Sequence, residues 1–389
     1  MKDSIIGVIG AGTMGSGIAL ACAQKGFTTY LYDNNENTLQ KSYTSILSNL
    51  NKLKEKGKFS DQEHNEIVGR LHVSTSLKSF SSCTLVIEAA IEDLNIKKEI
   101  FENLEQNIVS EDCILASNTS SLSITSIASA CKNSNRFIGI HFFNPATLMP
   151  LVEVIPGIET DKETLRLAIQ WIEELGKVSV TAKDTPGFIV NRVARPFYSE
   201  SIKIYEEGIA SFAQIDEALK EIGKFKMGPF ELMDFIGNDI NYTVTETVWR
   251  QFFYDPRFKP SFTQKRMVEA KRLGRKSGKG YYDYLKEQTE PTETLSKATA
   301  HQLVDRVLLL LFNEAADAVF MNIASKDDID TAMIKGTNYP KGLLKWSDEY
   351  GIKNIVDRLD LLYDRYHDDR YRVCPLLRDM AQSQQNFFS

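Results

Sequence analysis

Short apolar runs alternate with helical patterns through the first half of the 389-residue chain. The strand-like runs, rich in β-branched residues, are residues 4–9, 28–32, 84–90 and 113–116. The segments between them repeat apolar positions at helical spacing, and this alternation predicts a parallel sheet covered by helices on both faces. From Asn191 onward strand patterns disappear, and helical ones continue at residues 198–207, 214–222 and 230–236. The chain is therefore predicted to begin as a doubly wound α/β domain and to continue as an all-α region.

A glycine-rich turn joins the first predicted strand to the first predicted helix. It reads Gly10-Ala11-Gly12-Thr13-Met14-Gly15. In this pattern the first glycine allows a tight turn, the second lets the backbone approach a pyrophosphate, and the third permits close packing of helix against strand. The N-terminus of the helix adds unpaired N–H groups and a positive dipole. The turn, including Thr13 and Met14, is predicted to bind a dinucleotide.

Asp33 strengthens this prediction and indicates which dinucleotide is bound. It follows the second predicted strand, 18 residues after Gly15, where its carboxylate can accept hydrogen bonds from the adenosine ribose. Asn34 and Asn35 follow it, so a 2′-phosphate would meet a carboxylate without a nearby cation. NAD is predicted in preference to NADP. The alternative, a flavodoxin-like domain that binds no dinucleotide, is disfavoured by the combination of strand, spacing and acid.

Polar segments follow two further predicted strands. Ile91-Glu92-Asp93 comes after residues 84–90, and Ser117-Asn118-Thr119-Ser120-Ser121 comes after residues 113–116. Ligands of open parallel sheets bind outside the carboxyl ends of the strands, so both segments are predicted to line the cofactor crevice. Ser120 is also predicted to cap a helix from Leu122 onward, which is compatible with a role in the site.

A single histidine lies in the apolar stretch Ile138–Pro145. Asn144, Pro145 and Ala146 predict a turn, and residues 151–155 predict a returning strand that carries Glu153. Across such a hairpin a carboxylate would fix the tautomer of His141 and stabilise its imidazolium, as a general acid or base requires. The alternative is a core histidine with satisfied hydrogen bonds and Glu153 as a surface acid. Spacing alone leaves both interpretations open.

The helical region repeats itself in a register of 114 positions. The matching positions are 192–193 with 306–307, 200 with 314, 209–211 with 323–325, 215–216 with 329–330, 228 with 342, 234 with 348 and 237 with 351. One register over this span indicates a duplicated helical domain. The second copy lacks a Pro-Gly-Phe segment and carries Asp305 in place of Asn191, so it is predicted to be structural. The predicted domains are residues 1–183, 184–285 and 297–389, with a linker at 286–296.

Composition narrows the class of protein. A net charge of −6 and 42% hydrophobic residues fit a globular chain and argue against nucleic acid as the main partner. The five cysteines are scattered without paired spacing, so neither a disulfide framework nor a metal site is indicated. No apolar run reaches membrane-spanning length, and a predicted strand begins within four residues of the N-terminus. A cytoplasmic protein without membrane partners is expected.

Together these motifs resemble the L-3-hydroxyacyl-CoA dehydrogenase family, especially bacterial 3-hydroxybutyryl-CoA dehydrogenases. The matching segments are residues 7–15, 88–92, 117–121, 139–145, 184–192 and 274–284. Residues 300–380 look like the second C-terminal domain of longer members. The resemblance implies a Rossmann-like domain followed by two all-α domains in tandem. It also implies reversible NAD-dependent oxidation of an L-3-hydroxyacyl-CoA, most simply a short-chain one, in fatty acid or butanoate metabolism.

The resemblance further implies roles for single residues. His141 and Glu153 would form the catalytic pair, with Ser120 and Asn191 at the substrate oxygen. The cofactor-facing positions it implies are Asp33, Glu92, Lys97, Ser120, Asn144 and Lys276, beside the glycine turn. Some relatives carry a serine for coenzyme A where this chain has Asn49, which makes Lys56 the candidate contact. Lys56 lies in a lysine cluster after a predicted helix at 39–53, where lysines also complement the helix dipole.

Other interpretations of the same motifs remain. Relatives that oxidise carnitine or a sugar acid share the active-site motifs, so the substrate class has an alternative. A non-catalytic structural relative would have lost the histidine or the glycine turn, and both are intact. The second helical copy is predicted to cover the surface through which two-domain relatives dimerise. A higher oligomer is left open.

Overall fold

The computed structural model describes residues 4–286 and 294–388 of the chain. These residues form two compact units that divide between Thr185 and Pro186. The division lies beside the Pro186-Gly187 pair, two residues after the predicted boundary between residues 183 and 184. Residues 287–293, which make up most of the predicted linker, lie outside the described residues.

The first unit is built on an eight-stranded sheet with the order β3-β2-β1-β4-β5-β6-β7-β8. The strands are β1 (Ile5–Ile9), β2 (Thr28–Tyr32), β3 (Leu71–Ser74), β4 (Leu85–Glu88), β5 (Ile114–Ser117), β6 (Phe137–Phe142), β7 (Leu151–Pro156) and β8 (Val178–Thr181). Neighbouring strands are parallel except for β6 and β7. The order reverses between β1 and β4, so a ligand crevice is expected outside the carboxyl ends of these strands.

Helices cover this sheet. They are α1 (Thr13–Gln24), α2 (Glu36–Glu55), α3 (Asp61–Arg70), α4 (Leu94–Asn107), α5 (Ile124–Ala128) and α6 (Lys162–Glu174). The central strands are apolar on both faces, and Ile6, Val8, Val86 and Leu115 are fully buried. The predicted doubly wound α/β domain is thereby confirmed, although α3 and β3 were not predicted.

The second unit is helical within the described residues, as predicted. Its helices are α7 (Val190–Val193), α8 (Arg195–Glu206), α9 (Phe212–Glu221), α10 (Pro229–Ile236), α11 (Asn238–Gln251), α12 (Phe262–Glu269), α13 (Lys297–Phe320), α14 (Lys326–Thr337), α15 (Leu343–Tyr350), α16 (Ile352–Tyr366) and α17 (Pro375–Ser383). No helix in the described part of the chain is long and apolar enough to cross a membrane.

The sequence repeat is also a repeat of hydrogen bonding. Asp216 accepts two backbone N–H groups from the first turn of α10, at 2.9 and 2.8 Å. Asp330, 114 positions later, accepts two from the first turn of α15, at 2.8 and 3.0 Å. A Cβ on Gly228 or on Gly342 would lie 2.3 Å from the corresponding carboxylate. Both copies therefore need a glycine in front of the helix that the aspartate caps.

Two buried arginines join the copies in a reciprocal pattern. Arg192 of the first copy donates to Glu314 of the second at 2.7 Å, and Arg306 of the second pairs with Glu200 of the first. In the 114-residue register Arg192 corresponds to Arg306, and Glu200 corresponds to Glu314. Reciprocal contacts of this kind are the pattern of a two-fold dimer interface. The two copies therefore pack as an internal pseudo-dimer.

Candidate active site

The three glycines of the turn after β1 have the geometry that their predicted roles require. Gly10 has a φ of +97°, a conformation that favours glycine. A Cβ on Gly15 would lie 1.8 Å from the backbone oxygen of Gly10, so helix and strand can pack this closely only without a side chain. A Cβ on Gly12 would meet nothing within 4 Å. The backbone at Gly12 is thus open to a ligand, as a pyrophosphate requires.

A crevice of about 680 Å³ opens beside this turn, lined by Gly10, Gly12 and Asp33 among others. Asp33 is held in place because its carboxylate accepts the N–H of Ala11 at 2.7 Å and that of Asn35 at 2.8 Å. Carboxylate oxygens accept more than one hydrogen bond, so the ribose hydroxyls can still bind here. The residues that line the crevice therefore fit the adenosine half of NAD.

Sequence reasoning missed the apolar wall of this crevice. Leu77 precedes β4, Ile91 follows it, and Ile96 and Ile100 lie on α4; all four line the cavity. Ile91 is 66% exposed and Ile96 is 40% exposed. Apolar side chains that line a cavity suit a flat apolar ligand group, and an adenine ring is such a group. Their exposure could not be inferred without the sheet order.

His141 and Glu153 are brought together by the pairing of β6 with β7. They are directly opposite residues in this antiparallel pair, and Nδ1 of His141 lies 2.7 Å from a carboxylate oxygen of Glu153. The glutamate is fully buried and the histidine side chain is 8% exposed. Of the two interpretations left open by the sequence, the structure excludes the one in which Glu153 is a surface acid. The carboxylate fixes the histidine with a proton on Nδ1, which leaves Nε2 as the basic nitrogen.

Asn118 ties the strand that carries His141 to the neighbouring polar segment. Its side-chain oxygen accepts the backbone N–H of Phe142 at 2.8 Å, and its backbone N–H donates to the carbonyl oxygen of Glu88. The ends of β4, β5 and β6 are thereby fixed to one another at the carboxyl edge of the sheet. Asn118 is a positioning residue that the sequence reasoning named only as part of a segment.

Glu92 organises the polar segment after β5. Its carboxylate accepts the hydroxyl of Thr119 at 2.5 Å, the hydroxyl of Ser121 at 2.9 Å and the backbone N–H of Ser120 at 3.2 Å. Burial by itself raises the pKa of Glu92, but Lys97 and the two hydroxyls outweigh burial and hold the pKa below its usual value. Glu92 is thus an anion that fixes Ser120 in the segment after β5.

The predicted helix that starts at Leu122 with Ser120 as its cap is wrong. Helix α5 begins at Ile124 and is capped by Ser123. Asp184 assists, because its carboxylate accepts two backbone N–H groups of the first turn at 3.0 and 2.8 Å. The error arose because several serines in a row all have the chemistry of a cap, and only the distant Asp184 selects one. Ser120 is therefore not the cap of this helix, and its contact with substrate or cofactor stays a prediction.

Lys97 lies in a buried network of ion pairs. Its side chain is 1% exposed, and its ammonium lies 2.6 Å from Glu88 and 3.3 Å from Glu92. Glu88 is fully buried and also accepts the hydroxyl of Ser117 at 2.7 Å. A buried lysine needs such partners, because an isolated charge in the interior is costly. The charge of Lys97 is therefore directed at two carboxylates, and its contact with a cofactor stays a prediction.

Four further residues were predicted for the site, two in each unit. Asn144 is exposed in the turn between β6 and β7, and Lys56 is exposed at the C-terminal end of α2. Asn191 and Lys276 belong to the second unit. Asn191 is the second residue of α7, and the ammonium of Lys276 lies 2.6 Å from the carboxylate of Asp239. The roles of these four residues at the substrate or the cofactor stay predictions.

Comparison with known families bears directly on these features. Residues 5–185 match the family model described as the NAD binding domain of 3-hydroxyacyl-CoA dehydrogenase. The model for the C-terminal domain of the same family matches twice, at residues 187–284 and at residues 303–386. The second match confirms that the helical region is duplicated.

Individual relatives agree with the family models. The chain is 35% identical to 3-hydroxyadipyl-CoA dehydrogenase of Escherichia coli K12, over 97% of both chains. It is 44% identical to a probable 3-hydroxybutyryl-CoA dehydrogenase of Deinococcus radiodurans, over 72% of this chain and 99% of that one. The crystal structure of 3-hydroxybutyryl-CoA dehydrogenase from Escherichia coli K12 has a TM-score of 0.94 and 34% identity, over 98% of this chain and 99% of that one. The chain therefore belongs to the 3-hydroxyacyl-CoA dehydrogenase family and is an NAD-dependent oxidoreductase.

Proposed function

We propose that the protein catalyses the reversible oxidation of a short-chain L-3-hydroxyacyl-CoA to the 3-ketoacyl-CoA, with His141 as the catalytic base. The observation that carries the proposal is the buried hydrogen bond of 2.7 Å between His141 and Glu153. It lies on the carboxyl edge of the sheet that also carries the glycine turn and Asp33. A base beside a dinucleotide crevice is the arrangement that an alcohol dehydrogenase of this kind needs.

In the oxidative direction Nε2 of His141 removes the proton of the 3-hydroxyl group. Glu153 stabilises the imidazolium that forms, because its buried carboxylate already faces Nδ1–H. Ser120 holds the substrate oxygen, which keeps the reacting groups in line. The glycine turn and Asp33 would hold NAD, which would supply the hydride acceptor for C3. In the reverse direction the imidazolium returns the proton to the oxygen of the ketone.

The test compares His141→Gln and Glu153→Gln with wild type in the oxidation of NADH by acetoacetyl-CoA. We expect His141→Gln to lower kcat by at least about 10²-fold, the lower range of a general base, while the dissociation constant of NADH measured by fluorescence stays unchanged. His72→Gln is the matched control, because His72 is an exposed histidine on β3 of the same unit and should keep wild-type kcat. A His141→Gln enzyme with wild-type kcat would refute the assignment.

A second substrate has specific support from a relative. The Escherichia coli protein that matches 97% of this chain is named for 3-hydroxyadipyl-CoA, whose acyl chain ends in a second carboxylate. The ratio of kcat/KM for 3-oxoadipyl-CoA to that for acetoacetyl-CoA decides between the two. A ratio well below one supports the short-chain substrate, and a ratio well above one replaces it with the dicarboxylic acyl chain. Activity with neither thioester, but with carnitine or a sugar acid, would overturn both.

We also infer that the second helical copy takes the place of a partner subunit. The support is the reciprocal pairing of Arg192 with Glu314 and of Arg306 with Glu200. These two ion pairs are equivalent contacts related by a pseudo-two-fold axis. Asp305, which replaces Asn191, pairs with Arg358 at 2.8 Å and accepts the hydroxyl of Tyr350, so its carboxylate serves the packing of the copy. The second copy contributes an interface and no catalytic group.

A further inference from the structure

A cavity of about 340 Å³ lies in the second unit, between the end of α8, the first half of α13 and the second half of α16. Its apolar walls include Ile209, Leu303, Leu361 and Leu362. Ile209 is 41% exposed and Leu361 is 69% exposed, so apolar surface is presented to solvent at the mouth. A concave apolar site of this volume falls in the range of small-ligand pockets.

The repeat explains why this cavity exists. In the first copy the chain before α7 turns through Pro186-Gly187-Phe188. This turn lies close to α11: a Cβ added to Gly187 would be 3.3 Å from the side chain of Val248. Phe188 is 2% exposed. In the second copy the corresponding residues continue as the straight N-terminal turns of α13. Gln302 stands at the position of Phe188 and Leu362 at that of Val248, and both line the cavity.

The equivalence of the two places does not rest on numbering alone. The guanidinium of Arg192 lies over the ring of Phe252 at 5.2 Å, and that of Arg306 lies over the ring of Tyr366 at 4.9 Å. These two pairs are 114 positions apart, and Arg306 and Tyr366 line the cavity. Among the described residues, none therefore fills in the second copy the space that a buried loop fills in the first.

The charged side chains that line the cavity are all basic, and two of them are paired with carboxylates behind the wall. Three arginines line it, and no acidic residue does. Arg306 is bound to Glu200 and Glu207, and Arg358 is bound to Asp305. The exposed Arg365 makes no ion pair with any residue that the structure describes, and its guanidinium lies 5.4 Å from the ring of Tyr366. An uncommitted cation at the mouth of an apolar cavity suits a ligand with an apolar tail and an anionic head.

We propose that this cavity binds an amphipathic monoanion of medium chain length, a fatty carboxylate, with its tail between α13 and α16 and its carboxylate at Arg365. The site is separate from the cofactor crevice and is formed by residues of the second unit only. The second copy then has a ligand-binding role as well as a packing role.

Calorimetric titration of the full chain with sodium octanoate tests the proposal, with octanol and octylamine as the neutral and cationic probes of the same tail. We expect saturable binding of octanoate that is tighter than that of either other probe. Arg365→Gln should weaken octanoate binding about tenfold, as loss of one charge-assisted hydrogen bond would. Equal binding of all three probes, or no saturable binding of octanoate, overturns the proposal.

Gln302→Phe is the decisive variant, because it restores the residue type that the first copy has at this position. It should abolish octanoate binding and leave kcat with acetoacetyl-CoA unchanged. His301→Phe is the matched control, since this exposed neighbour on α13 does not line the cavity, and it should bind octanoate like wild type. If Gln302→Phe does not fold, Leu361→Trp at the exposed mouth replaces it. Octanoate binding that survives in the folded variant means that the ligand sits elsewhere, and the proposal fails.

Discussion

At the scale of single residues, the catalytic proposal depends on strand register. His141 faces Glu153 because β6 and β7 pair with these two residues directly opposite each other. A slip of one position would turn the carboxylate to the other face of the sheet. The register is well specified, because the neighbouring residues Ile140, Phe142, Val152 and Val154 are buried at 2% exposure or less. Hydrophobic packing of these four residues, on the face opposite His141 and Glu153, therefore fixes the geometry of the acid–base pair.

Glu92 gives a residue-scale prediction about pH. Its pKa is lowered in the folded protein by Lys97 and by the hydroxyls of Thr119 and Ser121, which together outweigh burial. A carboxyl group with a lowered pKa stabilises the folded state above its ordinary pKa of 4.5, and that contribution is lost as the pH falls through the lowered value. We expect the difference in Tm between wild type and Glu92→Gln to be constant at neutral pH and to narrow below pH 4.5.

Differential scanning calorimetry at a series of pH values measures this difference. Glu99→Gln is the control, because Glu99 is an exposed carboxylate on α4, the helix that carries Lys97, and its substitution should leave Tm unchanged at neutral pH. A difference that widens on acidification would contradict the assignment of Glu92 as the anion that holds the Thr119–Ser121 segment.

At the scale of elements, two glycines of the turn between β1 and α1 have different functions: Gly12 leaves space for a ligand, and Gly15 allows the helix to pack closely on the strand. Gly12→Ala should leave Tm almost unchanged, because its Cβ meets nothing within 4 Å, and should weaken NADH binding, because Gly12 lines the crevice. Gly15→Ala should lower stability by at least about 1–3 kcal/mol, the cost of overpacking, because its Cβ would lie 1.8 Å from a backbone oxygen. Thermal unfolding and NADH fluorescence titration of the two variants check the contrast. Equal loss of stability in both would contradict it.

Two elements, α3 and β3, could not be predicted from the pattern of apolar and polar residues in the sequence. Helix α3 has ten residues of which only Ile67 is buried, so it carries no apolar periodicity. Strand β3 is four residues long with one buried residue, Leu71. Both form because β2 offers an open edge and because Ser60 and Glu63 cap α3 reciprocally. Sequence periodicity detects elements that bury a face, and these two bury almost none.

At the scale of the whole molecule, the reciprocal arginine–glutamate pairs predict what happens without the second copy. Arg192, Glu200 and Glu314 are at most 3% exposed, so removal of residues 285–389 leaves Arg192 and Glu200 without partners on an exposed face. Removing one partner of a buried ion pair costs about 3–5 kcal/mol. We expect the truncated chain to recover these contacts by dimerising, with Arg192 bound to Glu200 of the partner subunit.

Sedimentation equilibrium measures this change of mass. Arg192→Glu in the truncated chain should prevent dimerisation by placing like charges opposite each other, and the further change Glu200→Arg should restore it. A truncated chain with the oligomeric state and the Tm of the full chain would show that the second copy does not replace a partner subunit.

The sequence by itself determined the dinucleotide turn, the choice of NAD, the α/β-then-α order and the duplication, because each depends on local spacing or on self-comparison. It also named His141, Glu153 and Ser120 as site residues, with the family resemblance. Only the tertiary structure decided that His141 meets Glu153, that Lys97 is held by Glu88, and that a cavity opens where Gln302 replaces Phe188. These features depend on contacts between residues distant along the chain, and such contacts are set by strand register and helix packing rather than by any local pattern.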